Sequence, residues 1–314
     1  MLSTFKALAD PTRLRLLAVL ARGEFTVQEL TSIVDMGQSR VSRHLKILTE
    51  AGLLSVKRQG TWAYYRLAGS NHFFTEIQPM VESRLNQDSL ATSDRERLLA
   101  VLENRRCKSL DFFERHARQW DQLVRDSLPT AAYQELLLES VPDLQIALEV
   151  GVGTGNLLEG LRHRAESVVG VDHSPVMLEQ ARQRIMLSGL NGIELRLGEM
   201  RHLPVSDNEV QWAVLNMVLH HAALPQQVFC ELARVVSPGG GITLADLHRH
   251  EHEWVRDAMA DQWLGFERAE LEGWLLAAGF ELTSFQIVSG ETSEHDVVLV
   301  SAVKKHPSAH AAQF

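Results

Sequence analysis

The chain has 314 residues, 45% hydrophobic and 23% charged, an ordinary globular composition with room for two domains. No apolar run is long enough to span a bilayer, and Met1-Leu2-Ser3-Thr4-Phe5-Lys6 lacks the pattern of an export signal, so a cytoplasmic location is expected. Two cysteines, Cys107 and Cys230, exclude a disulfide framework and a cysteine-rich metal site.

A net charge of −9 argues against nucleic acid, but the distribution reverses that argument. Residues 1–70 hold ten Lys or Arg against five Asp or Glu, a net +5 that leaves −14 on the rest. A basic first segment on an acidic body is the expected footprint of a DNA-reading domain joined to something else.

Asp10-Pro11 reads as a helix start, because Asp caps free N–H groups and Pro suits the first helical position. Leu14, Leu17 and Leu20 then fall on or near one face. A capping box, Thr26-Val27-Gln28-Glu29, opens a helix carrying Leu30, Ile33 and Val34. After a turn at Met36-Gly37, the next helix is predicted from Gln38 to Ala51, ended by Gly52. Val41, Leu45 and Leu48 form its packing stripe, which leaves Gln38, Ser39, Arg40, Ser42, Arg43, His44 and Lys46 as candidate DNA contacts. Arg can grip guanine, Gln can grip adenine, and Ser or Lys can hold phosphate. Two strands, Leu53–Arg58 and Trp62–Leu67, joined at Gln59-Gly60-Thr61, would form a wing made basic by Lys57, Arg58 and Arg66.

Residues 3–68 resemble the ArsR-type winged helix-turn-helix repressors, in the stretches Leu8–Leu17 and Ser39–Leu54. The resemblance implies a homodimer on a palindromic double-stranded DNA operator, paired through the first helix and a helix after the wing. The candidate for the latter begins near His72 and carries Phe73, Phe74, Ile77, Met80, Val81 and Leu85. Metal-sensing members place cysteines in the helix before the recognition helix. The matching stretch here, Glu24–Leu30, has none, so a thiolate metal sensor is not expected.

The segment 71–140 reads as a helical dimerisation and connector region, with one or two long helices from about Ser93 to Asp126. From 141 to 305 strands alternate with helices, and 306–314 reads as a tail. The buried strand Ile146–Val150 runs into Gly151-Val152-Gly153-Thr154-Gly155, where glycines permit a tight turn and close approach of backbone to a ligand. A second strand ends at Asp172, seventeen residues beyond Gly155, where a carboxylate can accept both hydroxyls of a ribose. The dinucleotide fingerprint G-x-G-x-x-G fails, because Leu158 stands at its last glycine.

Glu149 followed by Gly-x-Gly-x-Gly, the stretch Val171–Arg182 and the stretch Arg234–Gly241 resemble the class I S-adenosylmethionine-dependent methyltransferases. The resemblance implies a Rossmann-like α/β domain with a seven-stranded, mostly parallel sheet ending in Glu281–Val288 and Asp296–Val303. It implies S-adenosylmethionine or S-adenosylhomocysteine as ligand. Its site residues would be Glu149, Gly151, Gly153, Gly155, Asp172, His173, Met177, Glu199, Met200 and Asn216, with Glu199 and Met200 at the adenine. Phe112, Phe113, Ala117, Trp120 and Asp121 resemble the helix that closes over the cofactor in such enzymes, although they also fit a plain core.

His220 and His221, after the strand Val210–Leu215, stand where a methyl acceptor could lie and are the candidate catalytic residues. The competing reading has one packed and one solvated. Arsenite methylators that resemble this domain carry several cysteines, and two do not suffice. His248, His250 and His252 show metal-like spacing, but read better as a solvated segment leading into a helix Glu253–Gly265, so no metal is expected. Two functions remain: a regulator, acting as a repressor of methionine-cycle genes, whose second domain senses the adenosyl ligand, or a working methyltransferase on an unknown small molecule.

Overall fold

The computed structural model describes residues 2–68, 74, 76–77, 89–122, 130–289 and 295–305. Their contacts divide into two units, Met1–Cys107 and Lys108–Phe314. Among the described residues no helix is long and apolar enough to cross a membrane.

Capping sets the helices of the first unit. Helix α1 is Leu2–Leu8, and α2, Pro11–Leu20, starts where Asp10 Oδ1 accepts from Arg13 N at 3.0 Å. Strand β1, Phe25–Thr26, leads into α3, Val27–Val34, whose capping box is formed at both ends: Glu29 N donates to Thr26 Oγ1 and Thr26 N donates to Glu29 Oε2. The turn to α4 takes its left-handed residue at Asp35 (φ 51°) and not at Gly37 (φ −62°), since Asp tolerates that conformation. Helix α4 runs Gln38–Glu50 and closes with Leu53 N on Leu48 O and Gly52 N on Thr49 O, a Schellman end. Strands β2, Leu54–Gln59, and β3, Trp62–Leu67, pair antiparallel, and β1 adds to β3. The helix expected from His72 lies largely outside the described residues.

A 28-residue helix, α5 (Ser89–His116), holds α3 at both ends. At the start of α3, Arg105 donates through Nε and Nη2 to the two oxygens of Glu29, each at 2.8 Å, and its guanidinium lies 5.2 Å from the Phe25 ring centre. At the finish, Arg97 Nε donates to Ile33 O at 2.6 Å and Arg15 Nη2 to Val34 O at 2.7 Å, satisfying carbonyls that a helix end leaves free. Asp94 fixes both arginines, accepting two 2.6 Å bonds from Arg15 and one of 2.9 Å from Arg97. This helix ends at His116, where Gln119 N bonds His116 O in a turn, and the chain is helical again at 120–122; the rest of the stretch predicted to reach Asp126 lies outside the described residues.

In the second unit the sheet order is β6-β5-β4-β7-β8-β10-β9. The strands are β4 Leu144–Val150, β5 Ala165–Asp172, β6 Ile193–Leu197, β7 Val210–Asn216, β8 Val236–Leu247, β9 Phe280–Val288 and β10 Val297–Lys304. All neighbours are parallel except β10, which runs antiparallel to both β8 and β9. Helices α6 (Thr130–Glu139), α7 (Leu158–Arg164), α8 (Pro175–Ser188), α9 (Pro225–Val235), α10 (Val255–Ala258) and α11 (Arg268–Ala277) complete the unit. The chain leaves β4 toward one edge and crosses back to β7 on its other side. That reversal opens a crevice at the carboxyl ends of the strands. The fold is the mixed α/β architecture that the alternating pattern implied.

The helix expected over Glu253–Gly265 shrinks to the single turn α10. The backbone after it bonds elsewhere: Gln262 N and Trp263 N both donate to His220 O, at 3.0 and 3.1 Å. Tertiary partners have displaced the helical ladder.

Arg105→Ala leaves Glu29 without its strongest partner, and we expect a loss of about 1–3 kcal/mol in urea unfolding at neutral pH. Burial pushes the Glu29 carboxyl up, but Arg105 and the Thr26 bonds outweigh it and hold its pKa below 4.5. Stability from such a group is present above its ordinary pKa and lost as the pH falls through the folded value. The gap between wild type and variant should therefore narrow in acid; a constant gap would remove Glu29 as its origin.

Candidate functional site

The cavity of the second unit sits at the carboxyl ends of β4, β5 and β7 and measures about 720 Å³ with its open mouth. Of the sequence-derived ligand residues, Glu149, Gly151, Gly153, Asp172, His173, Met177, Met200, Asn216 and Trp120 line it. Gly155 and Glu199 do not. Gly155 faces Leu158 and Ala181, serving helix packing, and Glu199 lies beside Arg201 at 4.0 Å.

The loop after β4 is shaped by its glycines. At Gly151 (φ +74°) a Cβ would stand 2.3 Å from Val218 Cγ2, so no side chain fits there. At Gly153 a Cβ would meet nothing within 4 Å, which leaves backbone open to the cavity. On the other wall, Met217 takes a left-handed φ of 51° at the end of β7, a strained position for a side chain of that size.

Two carboxyl groups share the floor. Asp172 accepts from Gly153 N and Ser174 N, each at 2.8 Å, and retains lone pairs for further donors. Glu149 is 2% exposed, and its Oε2 has no hydrogen-bond partner. Burial and the neighbouring Asp172 push the Glu149 pKa well above 4.5. Burial raises Asp172 also, but His173 and the backbone N–H groups oppose it, so the upward push is less opposed at Glu149.

The far wall comes from the end of α5 and the turn after it. Phe113 stands edge-on to Trp120 (5.0 Å) and to His221 (4.8 Å) and packs on Met177. Asp121 ties this wall to the glycine loop, accepting from Thr154 Oγ1 at 2.6 Å, from Asn156 Nδ2 at 2.8 Å and from Arg184. Burial works against the Asp121 carboxylate, yet these bonds hold its pKa below 3.8. Asp121 was legible only as part of a resemblance, whereas Tyr133, which also lines the cavity, was not singled out from the sequence.

His220 and His221 are both buried, so the reading in which one is solvated fails. They form a short 3₁₀ turn with Leu219. His220 Nδ1 is 2.7 Å from Asp246 Oδ1, and its Nε2 is 3.6 Å from Asp261. Burial alone would lower its pKa, but the two carboxylates raise it to about 9. Burial and the charge on His220 push His221 well below 6.5, so His221 is neutral. Only His221 reaches the cavity. His248, His250 and His252 lie on irregular chain, not a helix; His250 and His252 gather with His295 at ring separations of 4.5–5.4 Å.

In the first unit, Gln38, Ser39, Arg40, Ser42, Arg43 and Lys46 are all exposed on α4. His44 is half-buried, 3.8 Å from Asp10. On β2, Arg58 is exposed while Lys57 is 7% exposed, because successive strand residues face opposite ways. Arg66 pairs with Glu24 at 3.2 Å, and of the three proposed wing cations Arg58 is the one the strand turns to the exposed side.

Residues 10–56 match the family model of the bacterial regulatory protein, arsR family, and residues 148–244 match that of a methyltransferase domain. Over 64 residues the chain is 52% identical to the arsenic resistance transcriptional regulator ArsR1 of Pseudomonas putida, a match covering 20% of this chain and 50% of that protein. It is 39% identical over 80 residues to an arsenite methyltransferase of Halobacterium salinarum, covering 26% of this chain and 20% of the relative. The chain thus spans half or less of these relatives. The N-methyltransferase NodS of Bradyrhizobium japonicum, in complex with S-adenosyl-l-homocysteine, superposes with a TM-score of 0.53 at 14% identity, over 63% of this chain and 98% of that one. At this identity the likeness shows the fold. The chain joins an ArsR-family helix-turn-helix segment to a methyltransferase-fold domain.

A buried acid with a raised pKa gives its full stability below the ordinary value near 4.5 and loses it as the pH climbs toward the folded value. Glu149→Gln should therefore flatten that slope and leave the variant more stable, relative to wild type, at neutral pH than in acid. Urea midpoints across a pH series measure this; parallel curves would place the Glu149 proton elsewhere.

Proposed function

We propose that the chain is a DNA-binding transcriptional repressor whose methyltransferase-fold domain binds S-adenosylmethionine or S-adenosylhomocysteine and reports that occupancy to the DNA-reading domain. The observation that carries this reading is helix α5. One continuous helix supplies Asp94, Arg97 and Arg105, which fix α3, and Phe112 and Phe113, which belong to the aromatic wall of the cavity. A ligand that reorders the wall acts on the same helix that positions the helix-turn-helix.

The cavity's residues suit an adenosyl ligand. Asp172 retains acceptor capacity for ribose hydroxyls, Gly153 leaves room beside it, and the unpartnered Glu149 Oε2 suits a ligand ammonium. His173, Met177 and Met200 line the cavity where an adenine would rest, and Asn216 and Trp120 line it too. S-adenosylmethionine, when bound, carries a methyl group made electrophilic by its sulfonium. The chain's residues need only hold the molecule and exclude water. Methyl transfer to a small molecule is the second reading, favoured by neutral, buried His221 at the cavity wall.

On the DNA side, Arg40 and Arg43 would read bases, Gln38 and Ser39 would sit at the entry of α4 into the major groove, and Ser42, Lys46 and Arg58 would hold phosphate. His44 and Lys57 would contribute only after a side-chain rearrangement. The operator would be palindromic and the protein a homodimer, with methionine-cycle genes as targets.

Binding of a labelled promoter fragment, titrated separately with each adenosyl ligand, tests the reading. We expect one ligand to change operator affinity about tenfold or more, about 1.4 kcal/mol of coupling. Two bound but silent ligands would favour the enzyme. Arg40→Ala with Arg43→Ala should abolish specific DNA binding and leave ligand affinity intact, whereas Asp172→Ala should do the reverse and make DNA binding blind to ligand. Calorimetry with each ligand and anisotropy with DNA separate the two losses, and a normal ligand response in Asp172→Ala would sink the site.

A further inference from the structure

His221 belongs to the cavity wall and also to a second buried group. His220, His221 and Asp261 each offer one ligand-type atom, and these atoms lie within 4.8 Å of one another. Among the described residues no other three such side chains converge so closely. Asp261 Oδ1 is 3.6 Å from His220 Nε2 and 3.8 Å from His221 Nδ1, and it has no hydrogen-bond partner although its side chain is buried. These separations are too long for hydrogen bonds and too short to admit a bridging water. They approach the edge of a tetrahedral shell, about 3.3 Å for metal bonds of about 2 Å.

The surroundings are those of a ligand set already held in place. His220 Nδ1 donates to Asp246 at 2.7 Å, the carboxylate buttress that metal-binding imidazoles commonly have. Asp246 is fully buried and is itself fixed by Leu219 N and Leu247 N, each at 2.8 Å. The segment carrying Asp261 is sewn to the histidine turn: Gln262 Nε2 donates to His221 O at 2.8 Å, and Trp263 Nε1 to Ala222 O at 2.7 Å. Ala260 holds a left-handed φ of 57° to present it, a strain that this stitching sustains.

We propose that His220 Nε2, His221 Nδ1 and Asp261 Oδ1 bind one divalent transition ion of the zinc class, with Asp246 orienting His220. Two imidazoles and a carboxylate select such borderline ions over calcium or magnesium, which prefer oxygen shells. Three protein ligands leave a coordination position for water or a small molecule. To enter, the ion displaces the proton on His220 Nε2, and the contact of His221 Nδ1 with Ala260 O (3.4 Å) gives way to the metal bond. The site stands apart from the adenosyl reading: it needs no ligand in the cavity, and it survives if the cavity binds something else.

Cobalt titration of the full-length, chelator-treated protein tests it, because tetrahedral Co²⁺ absorbs in the visible. We expect one equivalent of Co²⁺ to develop these bands and one of Zn²⁺ to bleach them. Asp261→Asn and His221→Ala should weaken binding about 100-fold, and Asp246→Asn about 10–100-fold. His295→Ala, in the neighbouring histidine group, should leave it unchanged. Circular dichroism checks that each variant is folded, and paramagnetically shifted N–H resonances of two imidazoles in the wild-type cobalt protein give a readout independent of any variant. Absence of a one-to-one cobalt spectrum, its survival in Asp261→Asn, or its loss in His295→Ala overturns the proposal.

Discussion

Buried carboxyl groups at the ends of parallel strands must each find a compensating partner, and the architecture of the second unit follows from how three of them do so. Glu149 stands near the end of β4, Asp172 ends β5 and Asp246 stands near the end of β8. A lone buried carboxylate is costly, so each is neutralised in its own way. Asp172 takes backbone N–H groups from the glycine loop and from the start of α8. Asp246 takes two N–H groups and an imidazolium. Glu149 has neither, and burial beside Asp172 pushes its pKa up. These three solutions shape the loop, fix the histidine turn and leave one unsatisfied acceptor facing a cavity.

The first unit is organised by the opposite charge. Arginines from α2 and α5 close on the two ends of α3, where a helix has free groups to satisfy. Helix α5 itself runs on past this unit, from Ser89 to His116.

Much of this was legible in the residues. Asp10-Pro11, the Thr26–Glu29 box and Gly52 are local signals, decided by backbone groups a few residues away, and each formed where the sequence placed it. The strand ends at Val150 and Asp172 were equally clear, since an apolar run followed by glycines or by a capped helix has few alternatives. Failures came where distant contacts overrode local preference. The helix predicted over Glu253–Gly265 lost its ladder to the carbonyl of His220. Lys57 read as a surface cation until pairing with β3 set which face of β2 turned inward.

The sequence by itself determined the order of elements, the two-part division of charge, the recognition helix and most of the cavity floor, because these depend on periodicity, capping and turn chemistry within short spans. Only the tertiary structure decided that Asp121 would close the wall onto Thr154, that Arg105 would reach Glu29, and that Asp261 would meet His220 and His221 forty residues away. Such meetings are set by how strands and helices pack. A charged side chain carries no mark in the sequence of which distant partner will compensate its burial.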